Sequence, residues 1–369
     1  MKVTGAIAAV LLATTALPVT AETLRWARAG DSLTLDPHAQ NEGPTSAFLH
    51  HVYETLVERS TDGSLQPRLA TAWRIHEDDP RVWVFELREG VQFHDGTPFT
   101  ADDVVFSFER VRAESSGFRA LHTAVESASA IDDYTVHVTM TGPSPLYVQN
   151  LTNFFIMSRT WAEANDVVVP QNFAAGEENF AVRNTNGTGP YTLIERDPEV
   201  RTVLRHFEDH WDETPTVTEI VYTPISEAAT RVAALLSGEV DLVQDVPVQD
   251  IARLEQTPGI TVTKGPENRN IFFSYDMSSD RLASANVDTN PFANPLVREA
   301  MALALDRDAI QQVVMRGNSL PSAAPLPPFV NGWTEAMDAY GAPDVERASA
   351  LMAEAGYGDG FSVDLHCPN

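Results

Sequence analysis

The clearest alternation of hydrophobic and polar positions in the chain begins at Trp83. From Trp83 to Leu87 every second side chain is large and apolar, and Gly90 interrupts the pattern shortly afterwards. Side chains of a strand point alternately to its two faces. The pattern therefore predicts a strand with at least one buried face.

A turn and a helix are predicted directly after this strand. Asp95 and Gly96 have the chemistry of a tight turn. Thr100 followed by Asp103 has the spacing of a capping box, which predicts a helix beginning at this point. One helical face collects Val104, Val105, Phe108 and Val111. We interpret the whole segment, including His94 and Asp95, as a packed core unit and not as a catalytic site.

Strand-like and helix-like periods alternate along the rest of the chain. Strands are predicted over 24–29, 134–140, 191–195, 201–206, 219–223, 240–243, 268–274 and 361–366. Helices are predicted over 47–57, 227–236, 248–256, 295–305, 306–315 and 345–355. The mixture favours an α/β fold.

Composition narrows the classes of partner and of site. A chain of 369 residues is long enough for two or more domains. Its formal net charge of −27 argues against nucleic acid and anionic membranes as partners, because both would repel it. The single cysteine, Cys367, excludes an intramolecular disulfide framework. No cofactor is expected.

Residues 1–21 have the layout of a secretory signal peptide. Lys2 precedes an apolar run, and Val19-Thr20-Ala21 is a small-residue cleavage site. The residue directly after that site is Glu22 and not a cysteine, so we expect a periplasmic protein without a lipid anchor.

The segment from Trp83 to Arg110, WVFELREGVQFHDGTPFTADDVVFSFER, closely resembles the signature of the family 5 extracellular solute-binding proteins of ABC importers, the oligopeptide, dipeptide and nickel-binding group. Later segments resemble further blocks of that family in the same order: NGTGPY at 186–191, RVAALLSGEVD at 231–241, NPLVREAMALALDRDAI at 294–310 and AEAGYGDGF at 353–361. The resemblance extends from about Leu24 to the end of the chain.

This resemblance implies a two-lobed periplasmic binding protein of type II, similar to cluster C, with an additional domain Ib. The implied divisions are a signal peptide at 1–21, the core of lobe I (domain Ia) at 22–55 and 180–265, domain Ib at 56–179, and an incomplete lobe II at 266–369. In the family a substantial C-terminal portion follows, so we expect this chain to be a fragment that binds solute weakly or not at all. The residues that grip the termini of a peptide would lie beyond Asn369.

The resemblance also implies where the ligand is bound. The polar loop before the first predicted helix lies at the ligand cleft in the family, which indicates Glu42, Gly43, Pro44 and Thr45 as contacts. Phe118 corresponds to an aromatic cleft position, although a core role is slightly favoured over a ligand contact.

A second implied contact region is the alternating strand at the crossing into lobe II. Its candidate residues are Asn268, Asn270, Phe272 and Ser274, and in peptide binders of the group the matching strand pairs with the extended ligand. Ser274 stands where oligopeptide binders have an acid, which leaves the ligand open.

By this resemblance the protein captures di- or oligopeptides between two lobes and delivers them to the permease subunits at the inner membrane, as a monomer. A nickel chelate, an opine or a sugar is the alternative solute. Hinge closure on the ligand would create the state that the permease recognises.

An exported metallohydrolase is the alternative from another class. His206 and His210 have i, i+4 spacing, but Phe207 stands where an HExxH motif would place its acid. Two histidines alone leave a divalent metal site incomplete. His50, His51 and Glu54 form no stronger cluster, and the sequence contains no nucleophile or nucleotide motif, so we expect no enzyme. A purely structural exported protein, which would show no thermal shift with any ligand, is the third possibility.

Overall fold

A computed structural model describes residues 22–265, 269–328, 330 and 332–367. The chain divides into two compact units, one ending at Asp245 (unit 1) and one beginning at Val246 (unit 2). Unit 1 is built around two sheets and is described first.

The strands of unit 1 are numbered in chain order. They are β1 (Glu22–Arg28), β2 (Val57–Arg59), β3 (Leu65–Pro67), β4 (Ala70–Ile75), β5 (Val82–Leu87), β6 (Val125–Asp132), β7 (Thr135–Met140), β8 (Tyr191–Asp197), β9 (Arg201–His206), β10 (Val217–Pro224) and β11 (Leu242–Val243). The predicted strands at the start of the chain, at 134–140 and in the region 191–243 are thereby confirmed.

Five strands form a mixed sheet in the order β11-β1-β10-β9-β8. β1 runs parallel to both β10 and β11, whereas β8, β9 and β10 pair antiparallel. Trp26, Phe48, Tyr53 and Tyr222 are among the large side chains buried on this sheet.

A second sheet is antiparallel, in the order β4-β5-β7-β6, and carries helix α2 (Ala101–Val111) against it. Phe85 in β5 and Phe108 in α2 are buried in the same core. The Asp103 carboxylate accepts a hydrogen bond from the Thr100 amide at 2.9 Å, so the predicted capping box is present. The predicted order of elements, a strand followed by a turn and a helix, is confirmed.

The predicted helix over 47–57 is only partly correct. Helix α1 spans Gly43–Leu49, because the Glu42 side chain caps it and Pro44 stands in its first turn. The chain then leaves the helix, Thr55 pairs with Phe155 as an isolated bridge, and β2 begins at Val57. Competition from these strand partners ended the helix earlier than its sequence indicated.

The remaining helices of unit 1 are short. They comprise α3 (Arg159–Ala164), α4 (Ala228–Ser237) and 3-10 helices at Arg119–His122, Tyr147–Asn153, Phe173–Ala175 and Phe180–Val182. The helix predicted over 227–236 is confirmed as α4.

Unit 2 is helical in its described residues. It contains α5 (Ile251–Glu255), a 3-10 turn at Pro291–Ala293, α6 (Pro295–Ala304), α7 (Arg307–Ala309) continuing into a π-helical turn at Ile310–Val314, and α8 (Val345–Glu354). The Asn294 side chain accepts a hydrogen bond from the Leu296 amide at 3.0 Å, as expected for the start of α6.

The strands predicted over 268–274 and 361–366 were wrong for the described part of unit 2, which contains no strand. A strand requires a neighbour that accepts and donates its main-chain hydrogen bonds. Residues 270–274 and 361–366 pair with no strand among the described residues, although the Asn286 amide donates to the Ser362 oxygen at 3.2 Å.

Candidate functional site

The predicted contact residues before and within α1 lie in one helical turn. The Thr45 side chain is fully buried, and its hydroxyl accepts a hydrogen bond from the Leu33 amide at 3.0 Å. Glu42 Oε2 accepts a hydrogen bond from the Thr45 amide at 2.8 Å. Gly43 is exposed, and Pro44 is half-buried. The main chain of Gly43 is therefore accessible to solvent. The buried Thr45 hydroxyl stabilises the turn through its hydrogen bond with Leu33.

A buried ion pair fixes the loop that leads into this turn. Asp36 and Arg110 are both completely buried, with Arg110 Nη1 at 2.6 Å from Oδ1 and Nη2 at 2.7 Å from Oδ2. The Gln171 amide donates to Oδ2 at 2.9 Å. Burial raises the pKa of Asp36, but the charge and hydrogen bonds of Arg110 outweigh burial and lower this pKa below its usual value. Since Arg110 belongs to α2, the loop is tied to the helix of the four-stranded sheet.

His38 completes this anchor as a neutral side chain. Its Nε2 donates to the Phe155 carbonyl at 2.8 Å, and its Nδ1 accepts from Arg110 Nη1 at 3.2 Å. Complete burial, followed by the charge of Arg110, lowers the pKa of His38 to about 3. One tautomer thus satisfies both neighbours at neutral pH.

A second ion pair holds the beginning of the same loop. Arg196 Nη1 lies 2.7 and 2.8 Å from the two oxygens of Asp31, and both side chains are almost completely buried. The Glu199 amide donates to Asp31 Oδ2 at 2.8 Å. The loop is therefore fixed at both ends, once to α2 and once to the five-stranded sheet.

Phe118 is placed in the core. Its side chain is 1% exposed and packs in the cluster around the four-stranded sheet. The preceding Gly117 meets the loop main chain so closely that a Cβ there would lie 2.7 Å from the Ala39 oxygen. Phe118 thus has a packing role in this structure, which its sequence slightly favoured, and its contact with a ligand stays a prediction.

His94 joins two of the sequence blocks within unit 1. Its amide donates to the Gly187 oxygen at 2.9 Å, and its Nε2 donates to the Gly189 oxygen at 2.9 Å. A Cβ at Gly187 would lie 2.0 Å from the Val52 oxygen, so this approach requires glycine. Burial lowers the pKa of His94 to about 4. Its role is structural, as its sequence context indicated.

The predicted contact segment of unit 2 is exposed. Ile271 and Phe272 are 90% and 73% exposed, Ser274 is also exposed, and Asn270 Nδ2 donates to the Ala324 oxygen at 2.8 Å. Asn268 lies outside the described residues. The segment therefore presents apolar side chains and main-chain groups to solvent.

The two histidines considered for a metal do not converge on one point. His206 Nδ1 donates to the Pro190 oxygen at 3.1 Å, whereas His210 Nε2 lies 3.4 Å from the buried Glu54 carboxylate. Arg68 forms an ion pair with Glu54 at 2.6 Å. Across the described ranges, no group of three or more histidine, cysteine or acidic side chains could hold a metal ion.

The residues that brace the loop were not identified from the sequence. Asp36 and Arg110 are 74 positions apart, and Asp31 and Arg196 are 165 positions apart. The one available signal was Arg110 itself, a charged residue next to the apolar face of α2, but nothing in the sequence indicated its partner.

Among the helices of the described residues, none is long and apolar enough to cross a membrane.

Residues 64–366 match the family of bacterial extracellular solute-binding proteins, family 5 Middle. The dipeptide-binding protein of Escherichia coli K12 is 28% identical over 375 residues, covering 95% of this chain and 66% of that protein. The heme-binding protein A of Haemophilus influenzae is 29% identical over 342 residues, covering 87% of this chain and 59% of that protein. The chain thus spans less than two thirds of the length of these relatives.

The fold is also similar to a solved structure, the ABC transporter-associated periplasmic binding protein DppA from Helicobacter pylori in complex with the peptide STSA. The TM-score is 0.77 at 26% identity, covering 92% of this chain and 67% of that chain. The expected fold class, that of the two-lobed periplasmic binding proteins, is confirmed.

Proposed function

Because the chain belongs to the bacterial extracellular solute-binding proteins of family 5, we propose that it is the periplasmic solute-binding component of an ABC importer for di- or oligopeptides. The observation that carries this proposal is the match of residues 64–366 to that family. Peptide as the solute is supported by the relative named dipeptide-binding protein and by the similar structure solved with a peptide.

The braced turn in unit 1 supplies one set of contacts in this proposal. The Gly43 amide has no hydrogen-bond partner among the described residues, and its residue is exposed. Glu42 Oε2 already accepts from the Thr45 amide, which leaves Oε1 to accept from a peptide N–H or ammonium group. Pro44 and Thr45 hold this geometry. Rigid donors and acceptors lose little freedom when a solute binds.

The segment ending at Ser274 supplies main-chain contacts of a different kind. Residues 270–274 are assigned to no strand and are mostly exposed, so their N–H and C=O groups can pair with an extended peptide. Asn268, Asn270, Phe272 and Ser274 are retained as candidate contacts. Recognition through the main chain would tolerate varied peptide side chains.

The proposed location and partners complete the assignment. Residues 1–21 act as a signal peptide, the protein is periplasmic without a lipid anchor, and it is a monomer that delivers solute to the permease. Its net charge of −27 disfavours nucleic acid as a partner. We assign it no catalytic role, since its family is one of substrate-binding proteins.

Substitution at Gly43 tests the proposed main-chain contact. Gly43→Pro removes the amide hydrogen at the first position of α1, where proline is favoured and the Cβ position is free of neighbours. Gly43→Ala adds a side-chain carbon but keeps the amide. Titration calorimetry of the full-length protein with short peptides should show binding that is about tenfold weaker for Gly43→Pro than for Gly43→Ala. Equal affinities would contradict the contact, and no binding of any peptide would contradict the proposed substrate.

A non-peptide solute is the second candidate. The heme-binding protein A of Haemophilus influenzae is as similar to this chain as the dipeptide-binding relative is. Hemin, a nickel chelate, an opine and a sugar therefore belong in the same titrations. Binding of one of these without binding of peptides would keep the importer role and change its substrate.

A further inference from the structure

A cavity of about 200 Å³ in unit 1 is lined by Arg112, Arg119, His122 and Thr123. These residues come from the end of α2 and from the following 3-10 turn. None of them belongs to the contact regions of the proposed peptide site, so the function of this cavity is a separate question.

The two arginines of this cavity differ from the other arginines of unit 1. The guanidinium groups of Arg112 and Arg119 have no hydrogen-bond, ion-pair or ring partner within the described residues, and both residues are exposed. Every other arginine between positions 22 and 245 contacts a carboxylate, another oxygen or an aromatic ring. These contacts are made by Arg25, Arg28, Arg59, Arg68, Arg74, Arg81, Arg88, Arg110, Arg159, Arg183, Arg196, Arg201, Arg205 and Arg231.

The contrast is informative because the chain has 52 acidic side chains against 25 lysines and arginines. Acidic partners are therefore abundant, yet two guanidinium groups at one cavity remain without one. Guanidinium groups bind carboxylate and phosphate through two parallel N–H donors.

His122 adds a buried donor to this cavity. Its side chain is completely buried, and its Nδ1 lies 2.7 Å from the Tyr147 hydroxyl. That hydroxyl has no other acceptor among the described residues, so its hydrogen is donated to Nδ1. The hydrogen of the neutral imidazole then sits on Nε2, which is buried and has no partner in the described part of the chain.

The protonation state is consistent with this arrangement. Burial, followed by the charge of Arg112, lowers the pKa of His122 to about 4. At neutral pH the ring therefore contributes one N–H donor and no charge, and the positive charge of the cavity comes from the two arginines.

We propose that this cavity binds a small oxyanion, a phosphate or carboxylate group held by Arg112 and Arg119 with the Nε2–H of His122 as a further donor. This site goes beyond the proposed peptide binding and does not depend on it.

Inorganic phosphate is the probe for this site, with chloride at equal ionic strength as the reference. The test compares the full-length protein with the double variant Arg112→Gln/Arg119→Gln. The matched control is Arg74→Gln/Arg205→Gln, which removes the same charge from two exposed arginines that have acidic partners. Titration calorimetry should show phosphate binding to the unchanged protein and the control, and binding about tenfold weaker or weaker still to the cavity variant.

The nitrogen chemical shift of His122 Nε2 provides an independent readout. Phosphate should move this resonance in the control and leave it in place in the cavity variant. Equal phosphate affinities in all three proteins, or an Nε2 resonance that does not respond, would overturn the proposal.

A second arm distinguishes a soluble oxyanion from a lipid headgroup. Because the protein is strongly acidic, we expect no cosedimentation with phosphatidylglycerol vesicles. Vesicle binding that phosphate reverses and that the cavity variant lacks would support the site and identify the headgroup as its source. If the cavity variant binds vesicles as well as the unchanged protein does, the lipid headgroup is not the ligand of this cavity.

Discussion

Strand β5 and the segment 269–274 were both predicted to be strands, but they have different structures. In β5 large apolar residues alternate with smaller or polar ones, whereas the segment 269–274 contains three consecutive apolar residues, Ile271, Phe272 and Phe273. β5 lies between β4 and β7, where it pairs with both, and Phe85 is completely buried. In the other segment, the described residues form no strand, and Phe272 is 73% exposed.

The difference shows that a strand-like alternation does not produce a strand by itself. Main-chain groups of β5 are satisfied by two neighbours, and Phe85 is buried in the core that also contains Phe108 of α2. Residues 270–274 pair with no strand in the described part of the chain, and Ile271 and Phe272 are exposed, which are the properties expected of a peptide-binding edge.

The largest expected effect that separates the two units is their response to acid. Nine of the ten histidines precede position 246, and burial lowers the pKa of His38 to about 3 and those of His94 and His122 to about 4. Unfolding restores ordinary pKa values, so the unfolded chain binds more protons below about pH 6.5. Each pKa unit by which folding lowers a histidine pKa corresponds to about 1.4 kcal/mol. In acid the three histidines together therefore lower the free energy of unfolding of unit 1 by several kcal/mol.

The stability of unit 1 should thus be complete above about pH 6.5 and fall as the pH decreases toward about 4. Hydrogen exchange at pH 7, 5.5 and 4.5, corrected for the intrinsic rate, measures this loss for each unit. Protection that falls equally in α2 and α6 would contradict the assignment of acid sensitivity to the buried histidines.

Truncating one phenylalanine in each segment tests the comparison directly. Phe85→Ala leaves a cavity in the packed core and should lower the free energy of unfolding by about 3–5 kcal/mol. Phe272→Ala should change it by less than about 0.5 kcal/mol, because that side chain is exposed. Urea unfolding followed by circular dichroism gives both values, and a large loss for Phe272→Ala would mean that this ring is covered in the folded protein.

Thr45→Val tests the internal support of the proposed contact turn. The substitution keeps the shape but removes the hydroxyl that accepts from the Leu33 amide, and a buried unsatisfied donor costs about 1–3 kcal/mol. Thr141→Val, at an exposed position, is the matched control and should be close to neutral. If both variants unfold at the same urea concentration, the hydrogen bond between the Leu33 amide and the Thr45 hydroxyl does not contribute to the stability of the folded protein.

The smallest expected effect is at the cap of α6. Asn294→Ala removes the acceptor of the Leu296 amide and should destabilise the helix by about 1 kcal/mol. Faster hydrogen exchange in the first turn of α6, with α2 unchanged as the internal reference, would confirm it. Asn294→Asp retains the acceptor and should behave like the unchanged protein.

Local chemistry explains which parts of the fold were predictable. The capping box at Thr100, the cap at Asn294 and the alternation of β5 all depend on residues within a few positions of one another. The end of α1 was missed because Thr55 pairs with Phe155, one hundred positions later. Such competition is invisible in a local pattern.

The candidate site was less predictable than the fold. Family resemblance indicated the turn at Glu42–Thr45, but the ion pair between Asp36 and Arg110 that braces its loop joins distant parts of the chain. For Phe118 the sequence left two roles open, because an aromatic residue near a glycine-containing loop has the same sequence pattern whether its ring is buried or exposed. Only three-dimensional packing distinguishes the two.

Peptide capture is tested most directly by identifying what the protein carries in its cell. The protein is purified from its own periplasm without refolding, denatured, and the released small molecules are analysed by mass spectrometry. A set of short peptides of varied sequence is the predicted result, since recognition is proposed to act through main-chain contacts. Release of a single metabolite, a heme or a metal chelate, with no peptides, would contradict it.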